Sequence, residues 1–538
     1  MPTLVITDFN IVCSILGGFV LAFGLVSFFV KERLYLSEAL IALIMGIALG
    51  PHGAKLIRPL IYAKDSEENL DAINLAFSRL VLGVQLVLAG VQLPQKYLAH
   101  EWKSLAMLLG PVMTVMWLVS GTLVYALIPG LTYVQALAVG ACITPTDPIL
   151  SNTIVKGKFA DKHIPVPLQR IIIAESGAND GLGYPFLFLM LYIYRYAMLS
   201  DRVGHGVGLF FTETLLYTIA LSVVYGIVVG WVAKELLHWA SLNRLVDRES
   251  FLVFAIALAL FIVGTCGMIG TDDVLACFIA GNVFTWNDWF RLETLDDSLQ
   301  PTIDMLLNIT IFLWFGAVAP WTEFGNTLEI PFGRLLAVGI LVLLLRRPPV
   351  VLLLHWYIPR IKSIREAIFA GYFGPIGVSA IFYLYVTIEF LADVEKLPLD
   401  ESQLKGVKQM MIATKLVVWF AVISSVIVHG ITVPFIKIGN VLPVTISRSV
   451  SRMTDNIPGL GGLISRSPSR SRNSVSAPLP DVGPRDRRVN VSDISGPIPP
   501  EVALTSDQVE RGKALAWDDE NLERGRDRGQ RSAPQQTV

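Results

Sequence analysis

The chain has 538 residues, 53% of them apolar and 16% charged, with a formal net charge of −1. Soluble domains carry about 25% charged residues, so this composition excludes an ordinary soluble protein, and the absence of a basic excess excludes a nucleic-acid surface. The lipid bilayer is the expected environment.

Apolar runs of about 20 residues, the length needed to cross a bilayer, fall at about 9–30, 36–54, 70–93, 104–128, 132–154, 167–194, 208–233, 250–270, 272–286, 302–320, 331–354, 364–391 and 408–436. The expected fold is an all-α polytopic membrane protein with about 13 transmembrane helices. Twelve is the alternative, because 36–54, 250–270 and 272–286 are short or nearly continuous. The first run is long enough to span, and no basic segment precedes it, which argues against a cleaved signal peptide. With thirteen spans and the N-terminus outside, about fifteen loop Lys and Arg fall inside against seven outside. That is the direction of the positive-inside rule and puts the C-terminus in the cytosol. Cys13, Cys142, Cys266 and Cys277 lie in apolar runs without metal-ligand spacing, so buried free thiols are expected, and no cofactor motif is present.

The fifth span contains Thr144-Pro145-Thr146-Asp147-Pro148. Pro145 and Pro148 disturb the helical ladder, which places Asp147 in unwound chain. The twelfth span is interrupted at Gly374-Pro375-Ile376-Gly377. Each is the next-to-last span of a six-span half, with the seventh as connector. Interrupted helices at matching positions point to two inverted repeats with crossed broken helices and a transport site at the crossing. Asp147 would neutralise the helix N-termini there. The plainer reading is that Pro and Gly only kink these helices.

The sixth span carries Glu175-Ser176-Gly177-Ala178-Asn179-Asp180-Gly181. An acid at membrane depth is costly unless it faces water or a partner. Asp180 is a hard-oxygen ligand for Na⁺, Li⁺ or K⁺ that also binds a proton, and Asn179, Thr146 and unwound carbonyls add neutral oxygens. The alternative is a structural acid paired with a buried base. Glu175, about 140° from Asp180 around the helix, points elsewhere. Arg346 and Arg347 interrupt the eleventh span, and a Glu175–Arg347 ion pair would satisfy both buried charges, with Arg346 as fallback partner.

Thr271-Asp272-Asp273 reads as a helix N-cap with favourably placed acids, or as a vestibule attracting cations. His429, near the end of the last span, reads as a packed or interfacial histidine, with proton sensing as the alternative. Arg79 and Lys415 are expected to snorkel or pair within the bundle. Residues 443–538 are rich in Ser, Arg, Pro, Asp and Glu and are expected to form a disordered cytosolic tail, separate from a transmembrane exchanger domain over 1–442. The basic run Ser465–Arg472 is a candidate for kinase action and anionic-lipid contact.

Taken together, these motifs, with Arg346-Arg347-Pro348, Phe373-Gly374-Pro375-Ile376-Gly377-Val378 and Val428-His429-Gly430, resemble the fungal plasma-membrane alkali-metal cation/proton antiporters over about residues 9–436. The resemblance implies a homodimer with elevator-type alternating access. It implies export of Na⁺ or Li⁺, and often K⁺, in exchange for external H⁺, serving salt tolerance and pH homeostasis. By that likeness Asp180 is the ion-binding acid, Thr146 and Asp147 lie at the crossing, and Glu175 pairs with an arginine of the eleventh span. Gln92 stands where relatives of that family are expected often to carry an acid and Tyr372 where some have a histidine, which leaves cation preference and pH response open. The competing classes are a cation channel, for which no pore ring is evident, and an intramembrane hydrolase using Ser176 and His429, for which no nucleophile elbow is evident.

Overall fold

The structure is a computed structural model that describes residues 7–34, 36–148, 150–151, 164–200, 202–325 and 330–455. The described residues fold into helices and connections without strands. In chain order the helices are α1 (Asp8–Phe28), α2 (Glu38–Leu49), α3 (Glu67–Gln92), α4 (Trp102–Leu127), α5 (Tyr133–Cys142), α6 (Val166–Ser200), α7 (Val203–Leu242), α8 (Arg248–Ile269) and α9 (Asp273–Phe284). After them come α10 (Leu299–Val318), α11 (Phe332–Tyr357), α12 (Ile364–Tyr372), α13 (Val378–Glu395) and α14 (Glu401–Asp455).

By length and composition, 8 of the described helices can cross a membrane: α1 with its extension to Lys31, α3, α4, α7, α8, α10, α11 and α14. α2, α5 and α9 are shorter apolar helices. The remaining positions are α6, which carries the acids of the sixth span, and the broken pair α12–α13. Each of the thirteen expected spans therefore coincides with a helix or a broken helix.

Local chemistry sets the boundaries. α8 and α9 are separate because Gly270 ends α8 in the left-handed conformation, φ +78°, which glycine adopts without a Cβ penalty. α2 ends sooner than the expected span 36–54, because Gly50-Pro51 turns the chain. Pro111 sits in a π-helical stretch, Leu108–Val112, inside α4, where a missing N–H is accommodated. α14 continues to Asp455, past residue 442 where the sequence composition changes. The chain divides into units Met1–Asn456 and Ile457–Val538; the second, with Ser465–Arg472, lies outside the described residues.

Close backbone packing joins the bundle. α2 and α10 meet at Gly46 and Gly316, where an added Cβ would collide with the carbonyls of Leu313 and Leu43 respectively. α9 packs against α3, α6 and α7, and α13 against α3, α5, α6 and α14. Cys142, Cys266 and Cys277 are buried free thiols, but Cys13 is exposed. The expectation of burial fails there because α1 packs inward mainly through Phe19 and Phe23 and leaves most of its surface uncovered.

Candidate functional site

The fifth span breaks after α5. Residues Ile143–Asp147 are non-helical and helix resumes at Pro148, a position where proline's missing N–H costs nothing. The twelfth span breaks between α12 and α13. The two breaks touch: Asp147 donates its N–H to the carbonyl of Pro375 at 2.9 Å. Four half-helix ends therefore converge in a buried place, and each presents unpaired backbone groups and a partial charge.

Two opposite charges answer those ends. Asp147 is fully buried, and its carboxylate accepts the Val378 N–H at 2.5 Å and the Leu150 N–H at 3.3 Å. It thus caps α13 and the second half of the fifth span at their positive ends. Gly377 stands against it, and a Cβ there would overlap the carboxylate. Arg346, also buried, donates to the carbonyls of Ile143, Thr144 and Pro145 at the end of α5 and to Gly374 beyond α12. A cation thereby meets the negative helix ends.

Arg347 turns the other way. Its guanidinium makes a two-pronged ion pair with Glu175, 2.5 and 2.7 Å, and donates through Nε to the Ala370 carbonyl at 2.9 Å. Both partners are buried. The two adjacent arginines thus divide the work, one on a carboxylate and one on carbonyls, and Arg346 is not the Glu175 partner.

Behind the crossing, α6 supplies a polar ladder. Asn179 accepts the Thr146 N–H at 3.0 Å and donates to Thr146 Oγ1 at 2.7 Å. Thr146 Oγ1 lies 3.1 Å from Ser176 Oγ, and Ser176 Oγ lies 3.4 Å from Ser151 Oγ. Ser151 in turn donates to the Asp147 carbonyl at 2.7 Å. These hydroxyls and the amide are spent on holding the broken segment to α6.

Asp180 differs from all of them. It is completely buried, and neither carboxylate oxygen has a hydrogen-bond partner among the described residues. Asp147 and Ser379 are its polar neighbours. Its main-chain carbonyl accepts the hydroxyl of Tyr383, which also reaches the Gly181 carbonyl at 3.2 Å. Tyr383 and Ser379, both on α13, escaped the sequence reading. Neither is charged, and only their spacing of one turn on a helix that begins at the break hints at them.

The remaining candidates lie apart. Asp272 caps α9 by accepting the Leu275 N–H at 3.1 Å, and Asp273 pairs with Arg79 at 2.7 Å. Both acids line a cavity of about 390 Å³ with Arg79, Tyr184, Glu389 and Asp393. Lys415 reaches Glu67 at 3.4 Å. His429 is buried, its ring nitrogens 2.9 Å from the Ser425 carbonyl and 3.1 Å from that of Tyr372, so it ties α14 to the end of α12. Ser176 and His429, the pair a hydrolase would use, are each engaged with other groups.

Residues 18–438 match the transmembrane sodium/hydrogen exchanger family. Over 443 residues the chain is 39% identical to Na⁺/H⁺ antiporter 2 of Zygosaccharomyces rouxii, covering 81% of this chain and 54% of that protein. It is 37% identical over 449 residues to a probable Na⁺/H⁺ antiporter of Schizosaccharomyces pombe, covering 82% and 58% respectively. The chain thus spans about half the length of these relatives. Its fold is similar to that of the sodium proton antiporter MjNhaP1 of Methanocaldococcus jannaschii at pH 8, with a TM-score of 0.57 at 20% identity, covering 77% of this chain and 98% of that one. The crossed broken helices thus sit within a multi-pass membrane chain that belongs to the sodium/hydrogen exchanger family.

Proposed function

We propose that the chain exchanges Na⁺ for H⁺ across a membrane, with Asp180 holding the cation and the proton in turn. The observation that carries this reading is a wholly buried carboxylate whose oxygens make no hydrogen bond of good geometry among the described residues, beside a helix crossing whose other charges are already answered. Glu175 is occupied by Arg347, Asp147 by backbone N–H groups and Arg346 by carbonyls. The relatives named above are described as Na⁺/H⁺ antiporters.

Coupling follows from electrostatics. A bare carboxylate is expensive in a low-dielectric interior, whereas a protonated or cation-paired one is neutral. Only loaded forms then pass between the two faces, and one site cannot carry both guests together. In this reading Thr146 and Asn179 hold the broken segment against α6, Asp147 keeps its helix ends neutralised, and the Glu175–Arg347 pair is structural. The cavity at Asp272 and Asp273 is a vestibule that attracts cations.

The finer proposal is export of Na⁺ or Li⁺, with K⁺ as a further substrate, from the cytosol in exchange for external H⁺. It places the protein in the plasma membrane with a cytosolic C-terminus, as a homodimer working by an elevator-type movement in salt tolerance and pH homeostasis. The channel reading has no filter or acid ring among the described residues to favour it. The test is proton release from acid-loaded proteoliposomes as Na⁺, Li⁺ and K⁺ are added in turn. Wild-type protein should respond and Asp180→Asn should not; Asp180→Asn exchanging at the wild-type rate would overturn the assignment.

A further inference from the structure

We infer that the Ser379 hydroxyl is a direct ligand of the transported monovalent cation, facing Asp180 across the α6–α13 contact; this rests on Asp180 being the cation site. The geometry starts at the break in the twelfth span. α13 begins at Val378, whose N–H is fixed on the Asp147 carboxylate. Ser379 is the next residue, and Tyr383 follows one turn later on the same face. The Tyr383 hydroxyl bonds the main-chain carbonyls of Asp180 and Gly181. That bond lays the 379/383 face of α13 against α6 at Asp180, and it brings the Ser379 side chain to the Asp180 carboxylate.

Ser379 is 1% exposed, and its hydroxyl makes no hydrogen bond among the described residues. Buried side-chain oxygens are nearly always bonded. Here three of them, Ser379 Oγ and both Asp180 carboxylate oxygens, meet from two helices close enough to interact, yet make no hydrogen bond of good geometry among the described residues. One carboxylate with a neutral hydroxyl is a hard-oxygen donor set, suited to an alkali cation and poor for a soft ion. The other hydroxyls of the cluster are not available in this way. Thr146, Ser176 and Ser151 bond one another, and the Asn179 amide is spent on Thr146. Ser379 is therefore the side chain in the cluster that can add to Asp180 without dismantling the crossing. A cation is held by several oxygens at once and a proton by one, so loss of the Ser379 hydroxyl should bear most on the cation side of the exchange.

The test is exchange in proteoliposomes with Na⁺, Li⁺, K⁺ and Tl⁺ supplied as nitrates. Loss of one neutral ligand to a charged guest should raise the KM for Na⁺ and Li⁺ in Ser379→Ala by about tenfold. The maximal rate, read with the site filled, should fall less than the KM rises. Ser379→Cys keeps the volume and replaces a hard ligand with a soft one, so the rate with Tl⁺ relative to Na⁺ should rise. A structural hydroxyl would not produce that change in preference. Unchanged KM values for every cation together with an unchanged Tl⁺-to-Na⁺ ratio would overturn the inference while Asp180→Asn remains silent. Should Ser379→Ala fail to fold, the ratio in Ser379→Cys decides alone. Wild-type vesicles indifferent to every cation would instead overturn the exchange reading itself.

Discussion

Asp147 and Arg346 hold opposite poles of one helix crossing. The carboxylate caps the N-terminal ends through Val378 and Leu150, and the guanidinium reaches the carbonyls of Ile143, Thr144, Pro145 and Gly374. Helix ends that would be solvated at a surface are here deep in the bundle, so side chains supply what water cannot. The arrangement assigns a purpose to two charges that would otherwise be liabilities, and it leaves Asp180 as the one acid of the cluster with nothing described to balance it.

Arg346→Met should therefore act on the crossing before it acts on cation affinity. Each buried carbonyl left without a donor costs roughly 1–3 kcal/mol, and several are involved. We expect a clearly lower melting temperature in detergent, with Arg365→Met, a change at an exposed residue, as the neutral control. Equal melting temperatures for the two variants would mean that the carbonyl contacts do not support the crossing.

Glu175→Gln and Arg347→Gln should each destabilise the protein by roughly 3–5 kcal/mol, because either change leaves a buried charge without its partner. The double variant should recover part of that loss. Strict additivity in thermal unfolding would reject the pair as an energetic unit. A cycle run with Arg346 in place of Arg347 should show little coupling, since Arg346 bonds carbonyls rather than the Glu175 carboxylate.

Much of this site was legible in the sequence, for a physical reason. Acids, prolines and glycines inside apolar runs are costly in a bilayer, so Asp147, Asp180, Glu175 and the Gly374–Gly377 stretch stand out against their surroundings. Partners across the bundle were partly legible. Glu175 and Arg347 are both buried charges of opposite sign, whereas Arg346 satisfies carbonyls that carry no side-chain signature. Arg79 and Asp273 sit far apart in the chain, and their pairing needs the packing of α3 on α9 to be known. Ser379 and Tyr383 give only a faint signal, for a different reason. A serine and a tyrosine in a membrane helix are common, and only the contact with α6 distinguishes them. The shortness of α2 was hidden because apolar sequence continues beyond the turn at Gly50-Pro51.

Gly377→Ala tests the closeness of that crossing. The Gly377 φ, near −152°, is negative, so alanine there does not have to enter the left-handed region. Its methyl group would instead fall on the Asp147 carboxylate, forcing the two broken segments apart. Cation-dependent proton movement should drop by at least tenfold and unfolding should occur at lower temperature. Gly333→Ala, where the added methyl meets open space, should leave both unchanged. Wild-type exchange in Gly377→Ala would show that the crossing can relax without consequence.

Charge balance gives the last test. The sixth span carries Asn179-Asp180 rather than two adjacent acids, and Asn179 is committed to Thr146. Asp147 is the second carboxylate near the centre, but both of its oxygens already accept backbone N–H groups, and giving up those bonds would uncap two helix ends. On the proposed exchange, one carboxylate is then left to be shared between cation and proton, and exchange of one monovalent ion for the other moves no net charge. Transport should be electroneutral. In proteoliposomes clamped at zero and at about −100 mV, each net charge moved would contribute roughly 2.3 kcal/mol, so the cation gradient at which flux reverses should be the same at both potentials. A reversal point that shifts with voltage would mean that a second proton is carried, and Asp147→Asn would then be expected to abolish the shift by removing the group that carries it.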